Sequence, residues 1–593
     1  MMEEKDLQKD FLSLTNKLWK FKSFDERETE NISQNFGFSY LLAKLFSIRN
    51  INISDIDQYI NPSLKDHMPD PYNLTDMEKA CSRIYDSICN NEKVAIFGDY
   101  DVDGSTSTSI IINYFKSLGI ELEYHIPNRF TEGYGPSKEI FSKFKKNNVK
   151  VIITVDCGTM SYDEMEFAKK ENLDVIVLDH HQPEITLPEA YAIVNPNRLD
   201  DTSNLNYLAA VGVTYFFLIA LNRKLRSMEW FANNNLAEPN MISFLDIIAL
   251  GTICDAVPLR GINRLLVIKG IEVMKKQLNV GLRSLIDKSA IKGKISTYDL
   301  GFKLGPRINA AGRLGRSSFG TELLTATDTV DADRIADELD KFNQERRTIE
   351  SYVLDSADKQ VNEEKLNKKL LVVYGEDWHE GVIGIIASRL KDKYHRPCVV
   401  ITVSNGKAKG SGRSIKGIDL GNLVIAAKQA GIIDSGGGHS MAAGLSIKES
   451  KIEELSDFFE SQLSNSQSKV VDEKMIYVDS LISSSGINLE VYDEIEKLGP
   501  FGSDNFEPNF VVKNSLLASV KQIGENHLKC LIKTPEGAFI EAMAFRSLST
   551  PLGDEIQKNK GNSVSLLGKI KINEWGGRRT PQLHIEDIGE QIS

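Results

Sequence analysis

Between residues 94 and 104 the chain reads Val94-Ala95-Ile96-Phe97-Gly98-Asp99-Tyr100-Asp101-Val102-Asp103-Gly104. Four apolar residues give the pattern of a buried strand, and they run into a Gly and three alternating carboxylates. That junction restricts the fold. A strand apolar on both faces belongs to a parallel sheet, and such sheets take their ligands beyond the carboxyl ends of the strands. Carboxylates this close repel one another when ionised, and a divalent cation with oxygen ligands relieves the repulsion. Read alone, the same acids equally suit a helix cap, with Ser105, Thr106 and Ser107 as further capping residues. A calcium loop of the EF-hand type is excluded, because Ile110 stands where its final Glu is required.

The rest of the chain separates these readings. From Met77 to about Ala290 short apolar runs alternate with amphipathic segments. Strands are predicted at 94–97, 121–126, 151–155 and 174–178, with helices at 106–118, 137–147 and 163–171. This alternation predicts a parallel sheet with helices on both faces. The third predicted strand ends in Asp156-Cys157-Gly158 and the fourth in Asp179-His180-His181. A further apolar, helical stretch, 244–254, delivers Asp255, which by itself reads as a cap. Together these positions predict a cluster of Asp99, Asp101, Asp103, Asp156, Asp179, His180, His181 and Asp255. Mixed carboxylate and imidazole ligands suit Mn²⁺ or Mg²⁺. Cys157 reads as a small buried thiol. The six cysteines include no Cys-x-x-Cys pair, which fits reduced thiols in a cytoplasm and excludes the usual structural zinc. The first residues are acidic and lack an apolar core, so no secretory signal is expected, and no apolar run is long enough for a membrane span. The net charge of −12 means that any nucleic-acid binding must rest on local basic patches.

Downstream, Leu304-Gly305-Pro306-Arg307-Ile308-Asn309-Ala310-Ala311-Gly312-Arg313 carries glycines for close backbone approach and arginines for phosphate. The bland alternative is a solvated basic loop. Residues 329–362 predict one long polar helix acting as a spacer. A second α/β segment follows, with two Gly-rich segments read as turns: Lys409-Gly410-Ser411-Gly412-Arg413-Ser414 and Ser435-Gly436-Gly437-Gly438-His439. Residues 461–468 read as a linker. Short strands from 475 to 588 predict a small barrel, for which an OB-fold is the natural candidate. Lys558, Lys560, Lys569, Lys571, Arg578, Arg579 and Trp575 offer charge and an aromatic platform near its end, with a solvated rim as the competing reading.

Asp-His-His at 179–181, Asp-x-Asp at 101–103, Asp156-Cys157-Gly158 and Asp255 resemble the DHH phosphoesterase superfamily. Gly98-Asp99-Tyr100-Asp101-Val102-Asp103-Gly104, Pro306-Arg307-x-Asn309-Ala310-Ala311-Gly312-Arg313 and Leu498-Gly499-Pro500-Phe501-Gly502 are similar to its RecJ branch, the single-strand-specific exonucleases, and Gly412-Arg413-Ser414 with Gly436-Gly437-Gly438-His439 resembles the DHH-associated domain. Many relatives carry a His where this chain has Phe97. The resemblance implies an α/β protein: a DHH parallel-sheet domain and a DHH-associated α/β domain joined by a long helix, plus an all-β OB-like barrel. The expected boundaries are an N-terminal segment, 1–75, a catalytic domain, 76–325, a connecting helix, 326–365, a substrate-binding domain, 366–465, and a nucleic-acid-binding domain, 470–593. It implies a metal-dependent 5′-to-3′ exonuclease that degrades single-stranded DNA to mononucleotides in repair and recombination. Asp101, Asp103, Asp156, His180, His181 and Asp255 would be catalytic, and all of these but His181, together with Asp99, would hold Mn²⁺ or Mg²⁺. Arg129, Arg307, Asn309, Arg313, Arg389, Ser411, Arg413, Ser414, Gly437, Gly438 and His439 would bind nucleic acid. Asp179 would orient a histidine. The expected partners are single-stranded DNA and, as candidates, a helicase and a single-strand-binding protein, for a cytoplasmic monomer without membrane contact. The alternatives are a small-molecule phosphodiesterase or pyrophosphatase on the same metal core, and a non-catalytic single-strand-binding scaffold.

Overall fold

The computed structural model describes residues 10–291, 293–465, 475–575 and 577–592. The chain divides into two compact units, residues 69–258 with 262–470, and residues 1–68, 259–261 and 471–593.

The larger unit opens with a five-stranded sheet. Across it the strands run Glu123–His125, Lys93–Phe97, Val149–Val155, Asp174–Leu178 and Ala192–Val194, every neighbouring pair parallel. The apolar runs are buried because helices cover both faces, as the alternation of the sequence requires. Helix Val102–Ser117 starts immediately after the first of these strands in sequence, and Asp101 caps it by accepting from the Gly104 amide at 3.0 Å. A Cβ on Gly104 would lie 2.6 Å from the Asp99 carbonyl, so only glycine lets the helix start this close to the strand end. The helix is buried nearly all round by helices Ala210–Ser227, Leu245–Cys254 and Phe319–Thr325.

Residues 300–313 are helical, not a loop: a π-helical stretch Leu300–Leu304 leads into α-helix Gly305–Arg313. Gly312 is there for packing, since a Cβ would meet the Tyr100 carbonyl at 2.8 Å. The long polar helix spans Thr329–Asp358 and stops short of the expected 362, because Asn362 caps a separate short helix, Glu363–Asn367. It is more than a spacer. Lys288 pairs with Asp337 and Arg307 with Asp340 near its start, whereas Arg389 pairs with Glu350 and Lys393 with Asp358 towards its end. The helix thus clamps the first sheet's half of the unit to the second.

The second half of the unit is a mixed five-stranded sheet in the order Ser435–His439, Ala442–Lys448, Lys407–Arg413, Cys398–Ser404, Leu371–Glu376. Both Gly-rich segments read as turns from the sequence are strands of this sheet. Their glycines serve packing: a Cβ on Gly412 would strike Leu420, and one on Gly436 would strike Val424, on the helix that covers this face.

In the smaller unit, strands Phe510–Ile523, His527–Lys533, Phe539–Ala544, Arg578–Gly589 and Ser563–Trp575 pair in that order, and the last closes onto the first. The two strands predicted at 510–512 and 516–522 are one bulged strand, with register shifts after Val512 and Leu517. Closure removes the free edges. Strand Met475–Val478 lies outside the barrel, in parallel with Leu18–Phe21 near the start of the chain. Leu42, Leu45, Phe46 and Ile56 share one apolar core with Phe510, Leu566 and Ile588 of the barrel. Trp19, fully buried, donates its indole N–H to Asp587 at 2.7 Å. Residues 466–468 of the predicted linker lie outside the described residues; the part before them continues helix Ile452–Asn465.

Candidate active site

The carboxyl ends of three adjacent strands deliver the predicted cluster to one place. Ligand atoms of Asp99, Asp101 and Asp156 lie within 4.8 Å of one another, as do those of Asp103, His180 and Asp255, and those of Asp156, His180 and His181. Asp156 belongs to two of these groups and sits between them. Its backbone is left-handed, with φ 60°, an uncommon conformation that turns the side chain back over the strand ends. Asp103 is held by the amides of Ala210 and Val211 at the start of a helix, at 2.7 and 2.9 Å.

The electrostatics call for a cation. Burial, and then the neighbouring Asp101 charge, pushes Asp103 up to about 7 despite its two amide donors. Burial and the charges of Asp103 and Asp101 push Asp255 up to about 9. Asp99 and Asp156 are raised well above the carboxylate range for the same two reasons. Asp99 Oδ1 and Asp255 Oδ2 are buried with no hydrogen-bond partner. Orphaned oxygens among unneutralised carboxylates are what a divalent cation satisfies, and the donor set fits Mn²⁺ or Mg²⁺. The three groups overlap through Asp156 and His180, so the acids and the His pair form one continuous set of carboxylate and imidazole donors. Phe97 is fully buried, with its ring 5.6 Å from that of His125 on the neighbouring strand, and contributes no ligand.

The two histidines differ. Burial and the neighbouring His181 lower His180 to about 4, so its imidazole is neutral, with Nε2 3.4 Å from Asp156 and 3.6 Å from Asp255. That is the state of a metal ligand. Burial also lowers His181, but a 2.7 Å hydrogen bond to Asp179 and its charge win, and push it up to about 9. Asp179 accepts in addition from the amides of Thr159, His180 and His181; against its burial, the His181 hydrogen bond and charge, with the Thr159 contact, hold it below the usual carboxylate range. Its oxygens are therefore occupied in fixing the His pair. Cys157 is buried, and its thiol faces the Val155 carbonyl rather than the acids.

Two cavities meet here. One of about 270 Å³ is lined by the acids together with Tyr134, Asn309, Arg129 and Arg313. The other, about 630 Å³, is lined by Arg129 and Arg313 again and by Lys409, Ser411, Arg413 and Gly436 from the second sheet. Arg129, Arg313 and Arg413 have no carboxylate within ion-pair distance among the described residues. Burial, and then the charges of Arg129, Arg346 and Arg413, lower Arg313 to about 10, the mark of a site that lacks an anion. Arg129 lies over the Tyr100 ring at 5.1 Å.

Other expected contacts fall elsewhere. Arg307 and Arg389 are tied to Asp340 and Glu350 of the long helix. Ser414 is buried and donates to the Ile418 carbonyl. Gly437, Gly438 and His439 continue the strand whose Gly436 lines the larger cavity, and His439 is exposed at its end. Tyr134, which donates to the Asp156 carbonyl at 2.9 Å and faces His181, was not singled out by the sequence; its place in Gly133-Tyr134-Gly135 is the only signal. On the barrel, Lys558, Lys569, Lys571 and Arg579 are each paired with an acid, which cancels most of the predicted basic rim. The side chain of Trp575 lies outside the described residues.

Three family models match the chain: the DHH family, N-terminal domain, over residues 93–252, the DHHA1 domain over 367–465 and the RecJ OB domain over 478–587. The chain is 33% identical over 576 residues, 96% of its length and 70% of the relative's, to the single-stranded-DNA-specific exonuclease RecJ of Bacillus subtilis strain 168. It is 34% identical over 565 residues, 92% of its length and 95% of the relative's, to the protein of the same name from Escherichia coli K12. The crystal structure of RecJ in complex with Mn²⁺ from Thermus thermophilus superposes with a TM-score of 0.80 at 25% identity, covering 97% of this chain and 80% of that one. An exonuclease RecJ structure bound to manganese gives 0.58 at 30% identity, over 67% of this chain and 97% of the other.

Proposed function

The chain belongs to the RecJ family of single-stranded-DNA-specific exonucleases, and from that membership we propose that it hydrolyses single-stranded DNA from the 5′ end to mononucleotides, with Mn²⁺ or Mg²⁺, in DNA repair and recombination. The observation that carries the reading is a pair of neighbouring cavities. The acid-lined one shares Arg129 and Arg313 with a second that adds Arg413, Ser411 and a Lys409 paired with Glu380, so a phosphodiester at the first would have arginines without acid partners beside it.

Asp99, Asp101 and Asp156 would hold one cation and Asp103, His180 and Asp255 the other. A bound divalent cation supplies Lewis acidity, which neutralises developing phosphate charge and makes water nucleophilic at neutral pH. The chain's own groups do the rest. Asp179 fixes the His181 ring by a 2.7 Å hydrogen bond at Nδ1, so that its other nitrogen would be placed to contact a non-bridging oxygen. Arg313 donates to the Gly381 carbonyl at 2.8 Å, which fixes its guanidinium at the junction of the cavities. Ser411, Arg413 and Arg129 form the anion site, which fits a terminal 5′-phosphate, more charged than an internal one. Tyr134 closes one side of the acid site. A small-molecule phosphodiesterase would need neither the second cavity nor a barrel, and a scaffold would not need the full acid set. No helix among the described residues is long and apolar enough to cross a membrane. The free cysteines support a reducing cytoplasm. A helicase that feeds single strands and a single-strand-binding protein are the partners such a reaction would use, with the enzyme as a monomer.

End-labelled oligonucleotides test this. Label at the 5′ end should leave as mononucleotide, activity should vanish in chelator, and Asp156→Asn, which keeps the left-handed backbone, should be inactive but folded. Arg413→Ala should lower the preference for 5′-phosphate over 5′-hydroxyl ends about tenfold. Internal nicking, 3′ release or chelator-resistant cleavage would refute the assignment.

A further inference from the structure

Arg129 lines both cavities, and what fixes it lies in its own turn. Glu132, three residues on, is the nearest acid in sequence, yet it is not the partner of Arg129. Both of its oxygens are engaged: Oε1 accepts from the Asn128 amide at 2.8 Å, and Oε2 hydrogen-bonds with His125 Nε2 at 2.7 Å. His125 ends the outer strand Glu123–His125, so this contact ties the turn to the edge of the sheet. Asn128 holds the turn from its other end. Its carbonyl accepts from the amides of Glu132 and Gly133 at 2.9 and 3.2 Å, and its side-chain oxygen from those of Phe130 and Thr131 at 2.9 and 3.3 Å. Its Nδ2 donates to the Gly315 carbonyl at 3.3 Å, just past helix Gly305–Arg313. Phe130 meets the His379 ring edge-on at 5.6 Å, on the half of the unit that carries Ser411 and Arg413.

Resting on the nuclease reading, we propose that Glu132 is a positioning residue that sets Arg129 for the terminal 5′-phosphate and so governs the preference for phosphorylated ends. Glu132 is not among the residues that line either cavity, so it acts through the turn. Arg129 stands between two anchored backbone positions, Asn128 and Phe130, and its guanidinium rests over Tyr100. A guanidinium held before the ligand arrives loses less freedom on binding, and the gain appears as affinity. A carboxylate this close in sequence, left loose, would take the same fork that a phosphate needs. Tying both oxygens to His125 and Asn128 prevents that. Tyr134, further along the same loop, is held separately by the Asp156 carbonyl at 2.9 Å, so its place in the acid site does not depend on Glu132.

Steady-state cleavage of matched 5′-phosphate and 5′-hydroxyl strands by the full chain in Mn²⁺ tests this. Glu132→Ala should raise KM for the phosphorylated strand about tenfold, with kcat and the KM of the hydroxyl strand within about twofold of wild type. Glu132→Gln should retain the preference, because its amide oxygen still accepts from Asn128 and the imidazole can accept from its amide nitrogen. Arg129→Ala combined with Glu132→Ala should lose no more than Arg129→Ala alone, since both act on one contact. A fold merely weakened would lower the active fraction, and with it kcat, for both strands alike. The proposal is overturned if Glu132→Ala keeps the wild-type preference, if Glu132→Gln is as impaired as Glu132→Ala, or if the two losses multiply in the double variant. A wild-type protein that cleaves no single strand, or that shows no preference for a 5′-phosphate, overturns the underlying reading instead, and this proposal with it.

Discussion

His180 and His181 are adjacent, share one hydrogen-bonding aspartate and end in different charge states, one neutral and one cationic. Their neighbours explain it: His180 faces acids across a buried gap, and His181 contacts Asp179 directly. A pH dependence follows for the cation-free protein. Asp103 and Asp255 are raised to about 7 and about 9 from an ordinary 3.8, and His181 to about 9 from 6.5. Above pH 6.5 each therefore binds more proton in the native than in the unfolded state, so stability falls as pH rises towards 9. His180, lowered to about 4, acts in the opposite sense only below 6.5. In chelator the melting temperature should drop between pH 6.5 and 9, and Mn²⁺ should raise it and flatten the slope; a melting temperature flat in chelator would contradict the charge assignment. The acids and the His pair were legible because a strand end aims its next side chain at a known edge of the sheet. Tyr134 was not, because its loop position has no periodicity from which to infer direction.

Glu350 shows what a helix can hide. It is 1% exposed, yet it takes salt bridges from Arg346 on its own helix at 2.6 Å and from Arg389 on helix Glu380–Tyr394. Glu350→Ala leaves Arg346 half-buried without its carboxylate, with only the Asn343 amide oxygen at 3.0 Å as acceptor, and close enough to Arg313 for their charges to repel. It should destabilise the larger unit by about 3 kcal/mol. Denaturant unfolding would measure this, and a change under 1 kcal/mol would reduce the pair to an incidental contact. From the sequence the helix itself was plain, thirty residues without Gly or Pro. Its ion-pair partners were not, because they lie on elements fixed only by tertiary packing. The Gly-rich strands misled for a related reason. Glycine marks either a turn or a close approach, and Gly412 and Gly436 use it for approach to a covering helix, Gly410 and Gly438 for approach to neighbouring strands.

At the scale of the whole chain the least informative stretch, residues 10–68, turned out to be structural. It supplies part of the barrel's core and a strand paired with Met475–Val478. Its apolar run around Phe38–Phe46 reads as a helix, but a helix pattern names no partner, and the strand partner lies more than 400 positions away. Trp19→Ala should cost about 4 kcal/mol. Hydrogen exchange should localise the loss to strands such as Phe510–Ile523 and Ser563–Trp575 while the larger unit stays protected; uniform loss across both units would argue against this division. The same interlock has a consequence for synthesis. The ribosome makes these first residues, then must finish roughly 400 more before their partners emerge, a wait of roughly 20–80 s at bacterial elongation rates. Throughout that interval Phe38 and Tyr59 of the same segment can pack on Phe46, but the barrel side of the cluster bearing Leu42 and Leu45 has no cover from this chain, and a holding chaperone would find its client there rather than in the catalytic fold.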